Sequence, residues 1–241
     1  MTSTLPVPIP RPRPHDHPRP AEADPPTTAV RPATTDDVPA MARLHIDQLP
    51  VGLFPSLGAR FVARWHQAHI DSDHGVALVC DEPTDDGEQV AGFLVGAVDR
   101  GAFRVELLTR HRRALLMYGA GALLVRPRVL ARFLRTRSTA YLRRLRRPRI
   151  PGTTSGTAVA DLTAIAVAPR LHRGGAGRAL TAEFLRICAA SGATHVEVVA
   201  DSAASGFYER TGWRCGRTAT ARDGRSLRWF SVDLRDGGQD R

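Results

Sequence analysis

The chain has 241 residues with 42% hydrophobic content, enough to bury a core, and its length suits one domain with additions better than two full domains. All 34 basic residues are arginine, there is no lysine or asparagine, and the formal net charge is +10. That charge is local: residues 100–149 carry fifteen arginines against one acid, Glu106, a segment at +14 that leaves −4 elsewhere, which argues against a generally basic nucleic-acid binder and for one local anionic contact. An arginine bias of this kind also follows from a GC-rich genome, so arginine counts alone carry little. Cys80, Cys188 and Cys215 are isolated from one another and form neither a zinc spacing nor a disulfide framework, as expected of a chain in the reducing cytoplasm. Residues 1–27, crowded with Pro, Arg and His, lack the apolar stretch of a secretory signal and read as a disordered tail. The best apolar run, Ala114 to Val125, is shorter than the roughly 18 residues a membrane span requires.

Thr28 to Arg31 reads as a short strand. Thr35 or Asp36 then caps a helix through Val38, Met41, Ala42, Leu44 and His45, whose apolar residues recur at helical spacing. A Pro- and Gly-marked break from Pro50 to Pro55 leads into a second helix carrying Leu57, Phe61, Val62, Trp65 and His66 and ending near Ile70. Val76 to Cys80 and Val90 to Val98 are β-branched runs around an acidic turn, Asp81 to Glu88, and predict an antiparallel hairpin. Residues 100–150 break the rhythm and read as a helical insertion, with one helix around Leu115 and Leu116 and another starting at Pro127. After a loop from Pro148 to Gly156, Ala158 to Val167 is a long strand that feeds a glycine-rich turn and a helix over Ala179 to Ala190. Thr194 to Ala200 is a buried strand and Ala203 to Thr211 a short helix, and Arg214 to Thr220 with Leu227 to Leu234 form a terminal hairpin around Arg222, Asp223 and Gly224.

The glycine turn is the chemical signal. A strand ending in Ile165, Ala166 and Val167 enters a helix through Gly174, Gly175 and Gly177, so unpaired backbone N–H groups and the helix dipole converge on one spot suited to a pyrophosphate. Glycine lets the backbone approach the phosphates closely. No Lys-Ser or Lys-Thr follows, which excludes a nucleotide P-loop, and the acid at Rossmann spacing, Glu197, stands without the rest of that pattern. Pro169-Arg-Leu-His-Arg-Gly-Gly-Ala-Gly-Arg-Ala-Leu180 instead resembles the (Gln/Arg)-x-x-Gly-x-(Gly/Ala) cofactor motif of the GNAT superfamily of acyl-CoA N-acyltransferases, with His172 where the family usually has Gln or Arg. A second block, Asp201-Ser-Ala-Ala-Ser-Gly-Phe-Tyr-Glu-Arg-Thr-Gly-Trp213, is similar to the family's Asn-x-x-Ala-x-x-Phe-Tyr-x-x-x-Gly-Phe, with Asp201 for Asn and Trp213 for Phe.

The resemblance implies an α/β GNAT fold over residues 28–241: a central, mixed and mostly antiparallel twisted sheet of six to seven strands flanked by helices, with the insertion between strands 3 and 4. It implies acetyl-CoA as co-substrate, without a metal, bound by Ile165, Ala166, Val167, His172, Arg173, Gly174, Gly175, Ala176, Gly177, Arg178 and Asp201. It also implies transfer of the acetyl group to a primary amine, with the Val167 N–H polarising the thioester carbonyl. Tyr208 lies where the family often places the tyrosine that serves the departing sulfur; the alternative is core packing with Phe207 and Trp213. Asp161, eleven residues before His172, lies where one branch of the family carries a glutamate base; the alternative is a solvated strand carboxylate. Glu197 is the second candidate base, one residue out of phase with the family position, which Val196 occupies. His45, His66 and His172 could titrate near neutrality, although histidines on helices commonly pack or face solvent.

The insertion points to an anionic acceptor such as a nucleotide-linked amino sugar, to a protein or RNA-bound acceptor, or to an anionic membrane surface; the plain alternative is a solvated helical decoration. A weak CoA-binding regulatory module is the competing functional class, and no specific nucleic-acid contact is expected. A homodimer is compatible with the pattern.

Overall fold

The computed structural model describes residues 29–84, 87–124, 158–221 and 224–235. The tail, the helix expected from Pro127, the loop from Pro148 to Gly156 and the tip of the terminal hairpin at Arg222 and Asp223 lie outside the described residues. Seven strands form one sheet in the order β1-β2-β3-β4-β5-β7-β6. They are β1 (Val30–Pro32), β2 (Gly75–Thr84), β3 (Gly87–Ala97), β4 (Val159–Val167), β5 (His195–Asp201), β6 (Arg214–Thr220) and β7 (Ser226–Asp233). Every neighbouring pair is antiparallel except β4 and β5.

Each face of the sheet is closed by helices. On one face α1 (Val38–Gln48), the short α2 (Leu53–Ser56) and α3 (Ala59–Ile70) bring Met41 and Trp65 onto Val79, Phe93, Val95 and Ala166. On the other, α6 (Ala176–Ala190) and α7 (Ser202–Arg210) bring Leu180, Phe184 and Tyr208 onto Leu94, Leu162, Val196, Val198 and Phe230. Leu180 and Phe184 are four apart on one helix face, which is why a single apolar stripe suffices. Fully burying one such side chain contributes about 1.5–3 kcal/mol. Arg31 joins the N-terminal elements, with its guanidinium on Asp37 at 2.7 Å and on Asp81 at 2.6 Å.

Among the differences from the sequence expectation, three bear on the sheet and the site. The β2–β3 hairpin runs on through Asp81 to Thr84, pairing Thr84 with Gly87, because ladder bonds need no apolar side chains and Arg31 neutralises Asp81. Helix α6 begins at Ala176 rather than Ala179, since the glycine turn supplies its first turn. The segment after β3 holds a helix the apolar pattern does not show, α4 (Arg100–Thr109), ahead of α5 (Arg112–Leu124). Asp99 starts α4 by accepting the N–H groups of Gly101 and Ala102 at 2.8 and 3.0 Å, and only Phe103 on it is buried.

Candidate active site at the parting of two parallel strands

Strands β4 and β5 pair only from Val159–His195 to Leu162–Val198. Beyond that point β5 continues to Asp201 against β7, while β4 continues to Val167 against β3, so the two strands part and leave a gap between them. A β-bulge lies at the parting: Val95 pairs with Ala164 but Gly96 with Leu162, which leaves Thr163 as the extra residue. Gly96 is required there, since a Cβ would sit 2.6 Å from both the Asp161 carbonyl oxygen and the Phe184 ring. The Ala168 N–H donates to the Ala91 carbonyl at 2.7 Å, and by the two-residue alternation of antiparallel strands Val167 and Ile165 turn their backbone groups into the gap. Their side chains, with Leu171, pack on the α6 face.

The glycine turn closes one end of this gap. Pro169–Leu171 form a 3₁₀ turn, Arg173 and Gly175 take left-handed conformations (φ 70° and 85°), and Gly175 caps α6. A Cβ at Gly174 would lie 3.3 Å from the Leu171 carbonyl oxygen, and one at Gly177 would touch Phe207 at 3.4 Å. The first backbone bond of the helix runs from Ala179 to Gly175 at 2.9 Å, which leaves the N–H groups of Ala176, Gly177 and Arg178 without intrahelical acceptors. Arg173 and Arg178 are exposed at its rim. This arrangement fits a pyrophosphate, with main-chain donors at a helix N-terminus and two guanidinium groups beside them. His172 is used differently: its Nε2 lies 3.0 Å from the Val167 carbonyl, so the ring donates to the strand end rather than to the turn.

The expected reacting groups stand on opposite faces of the sheet. Asp161 shares its register with Glu197, so both carboxylates project from the face opposite α6. Arg100, at the start of α4, reaches them both, with Nη1 at 2.5 Å from Glu197 Oε2 and 3.9 Å from Asp161 Oδ1. Thr163 at the bulge donates to Asp161 Oδ2 at 3.1 Å. Burial raises the Asp161 carboxyl above the usual aspartate range; the Thr163 bond and Arg100 oppose that and Glu197 adds to it. Tyr208 is 3% exposed on the other face, stacked on Phe230 at 5.3 Å and edge-on to Trp213 at 5.5 Å. Burial, reinforced by Asp201, pushes its phenol up, so it remains a proton donor at neutral pH.

Asp201 stands on the β5 edge of the gap, and its Oδ1 caps α7 by accepting from Ala203 at 3.0 Å and Ala204 at 3.2 Å. The closeness of Glu197 to Asp161 depends on the parallel register and on Arg100, neither of which the sequence displays. His45 and His66 do not titrate near neutrality: with His69 they are buried against Trp65 and Phe93, and desolvation lowers His45 to about 4 and His66 to about 2. Among the described residues no group of three or more His, Cys, Asp or Glu side chains could hold a metal ion, and no helix is long and apolar enough to cross a membrane.

Comparison with known proteins agrees with this geometry. The family profile described as an acetyltransferase (GNAT) domain matches residues 141–230. No curated protein matches the chain. Among solved structures, a Desulfovibrio desulfuricans protein described as a GNAT-family acetyltransferase superposes with a TM-score of 0.52 at 17% identity, over 86% of this chain and 98% of that one. The structure titled SsHAT gives 0.50 at 22% identity, over 86% and 98%. An aminoglycoside 6'-N-acetyltransferase complexed with coenzyme A gives 0.50 at 9% identity, over 86% and 97%. At these identities the structural likeness speaks for the fold, and the profile match speaks for residues 141–230. Residues 141–230 match the acetyltransferase (GNAT) domain profile, and the described residues take the fold of the GNAT acetyltransferase they superpose on.

Proposed function

We propose that the protein moves the acetyl group of acetyl-CoA to a primary amine by direct attack within a ternary complex, with the pantetheine arm lying along Ile165 and Val167 in the β4–β5 gap. The observation that carries this reading is the loss of strand pairing after Leu162 and Val198, at the point where Asp161 and the bulge stand. The Val167 N–H polarises the thioester carbonyl. Asp161, whose proton affinity is raised by burial, takes a proton from the attacking amine as the C–N bond forms. Tyr208 gives its proton to the thiolate as the C–S bond breaks, and solvent exchange restores both groups. The main-chain donors of Ala176, Gly177 and Arg178 hold the pyrophosphate, with Arg173 at the rim.

For the acceptor we favour an anionic amine such as a nucleotide-linked amino sugar. Arg104, one turn along α4 from Arg100, is exposed, as are Arg112 and Arg113 at the start of α5 beyond the far end of α4, and further arginines follow in the sequence. Forked guanidinium groups suit a pyrophosphate. The test is a screen of amine classes by thiol release from acetyl-CoA. A phosphorylated or nucleotide-linked amine should turn over with a KM that rises with salt, and turnover confined to neutral or cationic amines overturns the acceptor assignment.

A further inference from the structure

Arg100 occupies an unfavourable position for a cation. It is the first residue of α4, where the helix dipole is positive, and it follows directly on the capping Asp99. What holds it there is the pair of carboxylates across β4 and β5. Glu197 takes the guanidinium at 2.5 Å, while Asp161 remains at 3.9 Å, outside hydrogen-bond reach. Asp161 Oδ2 is engaged by Thr163, and Oδ1 accepts no hydrogen bond among the described residues. The second Glu197 oxygen, Oε1, lies 3.9 Å from His195 Nε2.

We propose that Arg100 is a positioning residue for Asp161, held one step away by Glu197, so that Asp161 keeps an oxygen open to the incoming amine and the helical segment after β3 is anchored to the reacting centre. The inference rests on Asp161 being the base. Were Glu197 absent, the freed guanidinium would close on Asp161 and block that oxygen. Were Arg100 absent, two carboxylates at one register would face each other with no cation between them. The charged and titratable groups around Asp161 are Arg100 and Asp99 from the α4 end and Glu197 and His195 from β5; β3 opposes it with Ala97. Asp99 is engaged by its two amide donors, so the balance is set by Arg100 and Glu197.

Two substitutions therefore move the aspartate in opposite directions, which a purely structural role would not do. The full-length protein is labelled with ¹³C at aspartate carboxyls, and the Asp161 signal is assigned by its loss in Asp161→Asn. Its titration midpoint should rise by about one pH unit or more in Arg100→Gln and fall by about one unit in Glu197→Gln. The acid limb of kcat, measured with an accepted amine at saturation, should move the same way. Glu197→Gln is isosteric and keeps a test in hand if Arg100→Gln folds poorly. Midpoints that stay put, or shift in the same direction in both variants, overturn the inference. Undiminished thiol release by Asp161→Asn instead overturns the assignment of the base, so the two failures are distinguishable.

Discussion

Acidification should unfold this protein at a pH where most carboxylates are still charged, and the cause is the cluster of buried imidazoles between α1, α3 and β3. His45 stacks on Phe93 at 5.7 Å, His66 meets the same ring edge-on at 4.9 Å, and His69 lies 4.6 Å from Trp65. Both ring nitrogens of His66, Nδ1 of His45 and Nε2 of His69 are buried without a hydrogen-bond partner. Desolvation holds the three rings neutral, at about 4 for His45, about 2 for His66 and about 4 for His69. A free imidazole titrates near 6.5, so the unfolded chain binds protons first. The stability these groups contribute is complete above about 6.5 and is lost as pH falls toward 4. Between pH 7 and pH 5 each histidine costs about 2 kcal/mol, about 6 kcal/mol together, against the 5–15 kcal/mol typical of a domain. Urea denaturation followed by tryptophan fluorescence at pH 7.5, 6 and 5 reads this directly, since Trp65 belongs to the cluster. His66→Leu should remove about a third of the slope, whatever its own cost at neutral pH. A stability at pH 5 within about 1 kcal/mol of that at pH 7 would mean that the buried imidazoles do not resist protonation, because Asp37, held near 2 by Arg31, adds its own loss only at lower pH.

The glycines make sharper local predictions. Gly175→Val places a β-branched residue at φ 85°, at a cost of at least about 1–2 kcal/mol, and should raise the KM for acetyl-CoA more than it lowers kcat. Gly96→Ala drives a methyl into the Asp161 carbonyl and the Phe184 ring, so it should lower both Tm and kcat, with a larger effect on kcat than a core substitution away from the bulge. Tyr208→Phe should lower kcat by about 10²-fold while the melting temperature moves little, because the ring stack with Phe230 is retained. An unchanged kcat would reduce Tyr208 to a packing residue.

Much of the architecture is legible in the chain. The β-branched run from Ala158 to Val167 followed by three glycines predicts a strand, turn and helix because local propensity and tertiary packing agree there. The bulge is hidden, since Asp161 to Val167 stays largely apolar on both sides of Thr163 and a one-residue slip leaves no mark in such a run. Helix α4 is hidden for the opposite reason: one buried residue, Phe103, leaves almost no apolar period, and its start is signalled only by Asp99. The turn residues could be read because glycine has few other uses there. The pairing of Glu197 with Asp161 is hidden because it comes from the register between β4 and β5 and from an arginine 97 residues away. The helical histidines look like ordinary titrating groups until their burial is known.

In the proposed reaction, acetyl transfer takes place where β4 and β5 part, with Asp161 at that point. The most direct measurement is the kcat of Asp161→Asn at saturating acetyl-CoA and amine, beside a CoA binding titration of the same variant. The predicted result is a kcat lowered by about 10²-fold or more with CoA affinity unchanged, because the turn at Ala176 to Arg178 is untouched. A variant that transfers acetyl at the wild-type rate would contradict it.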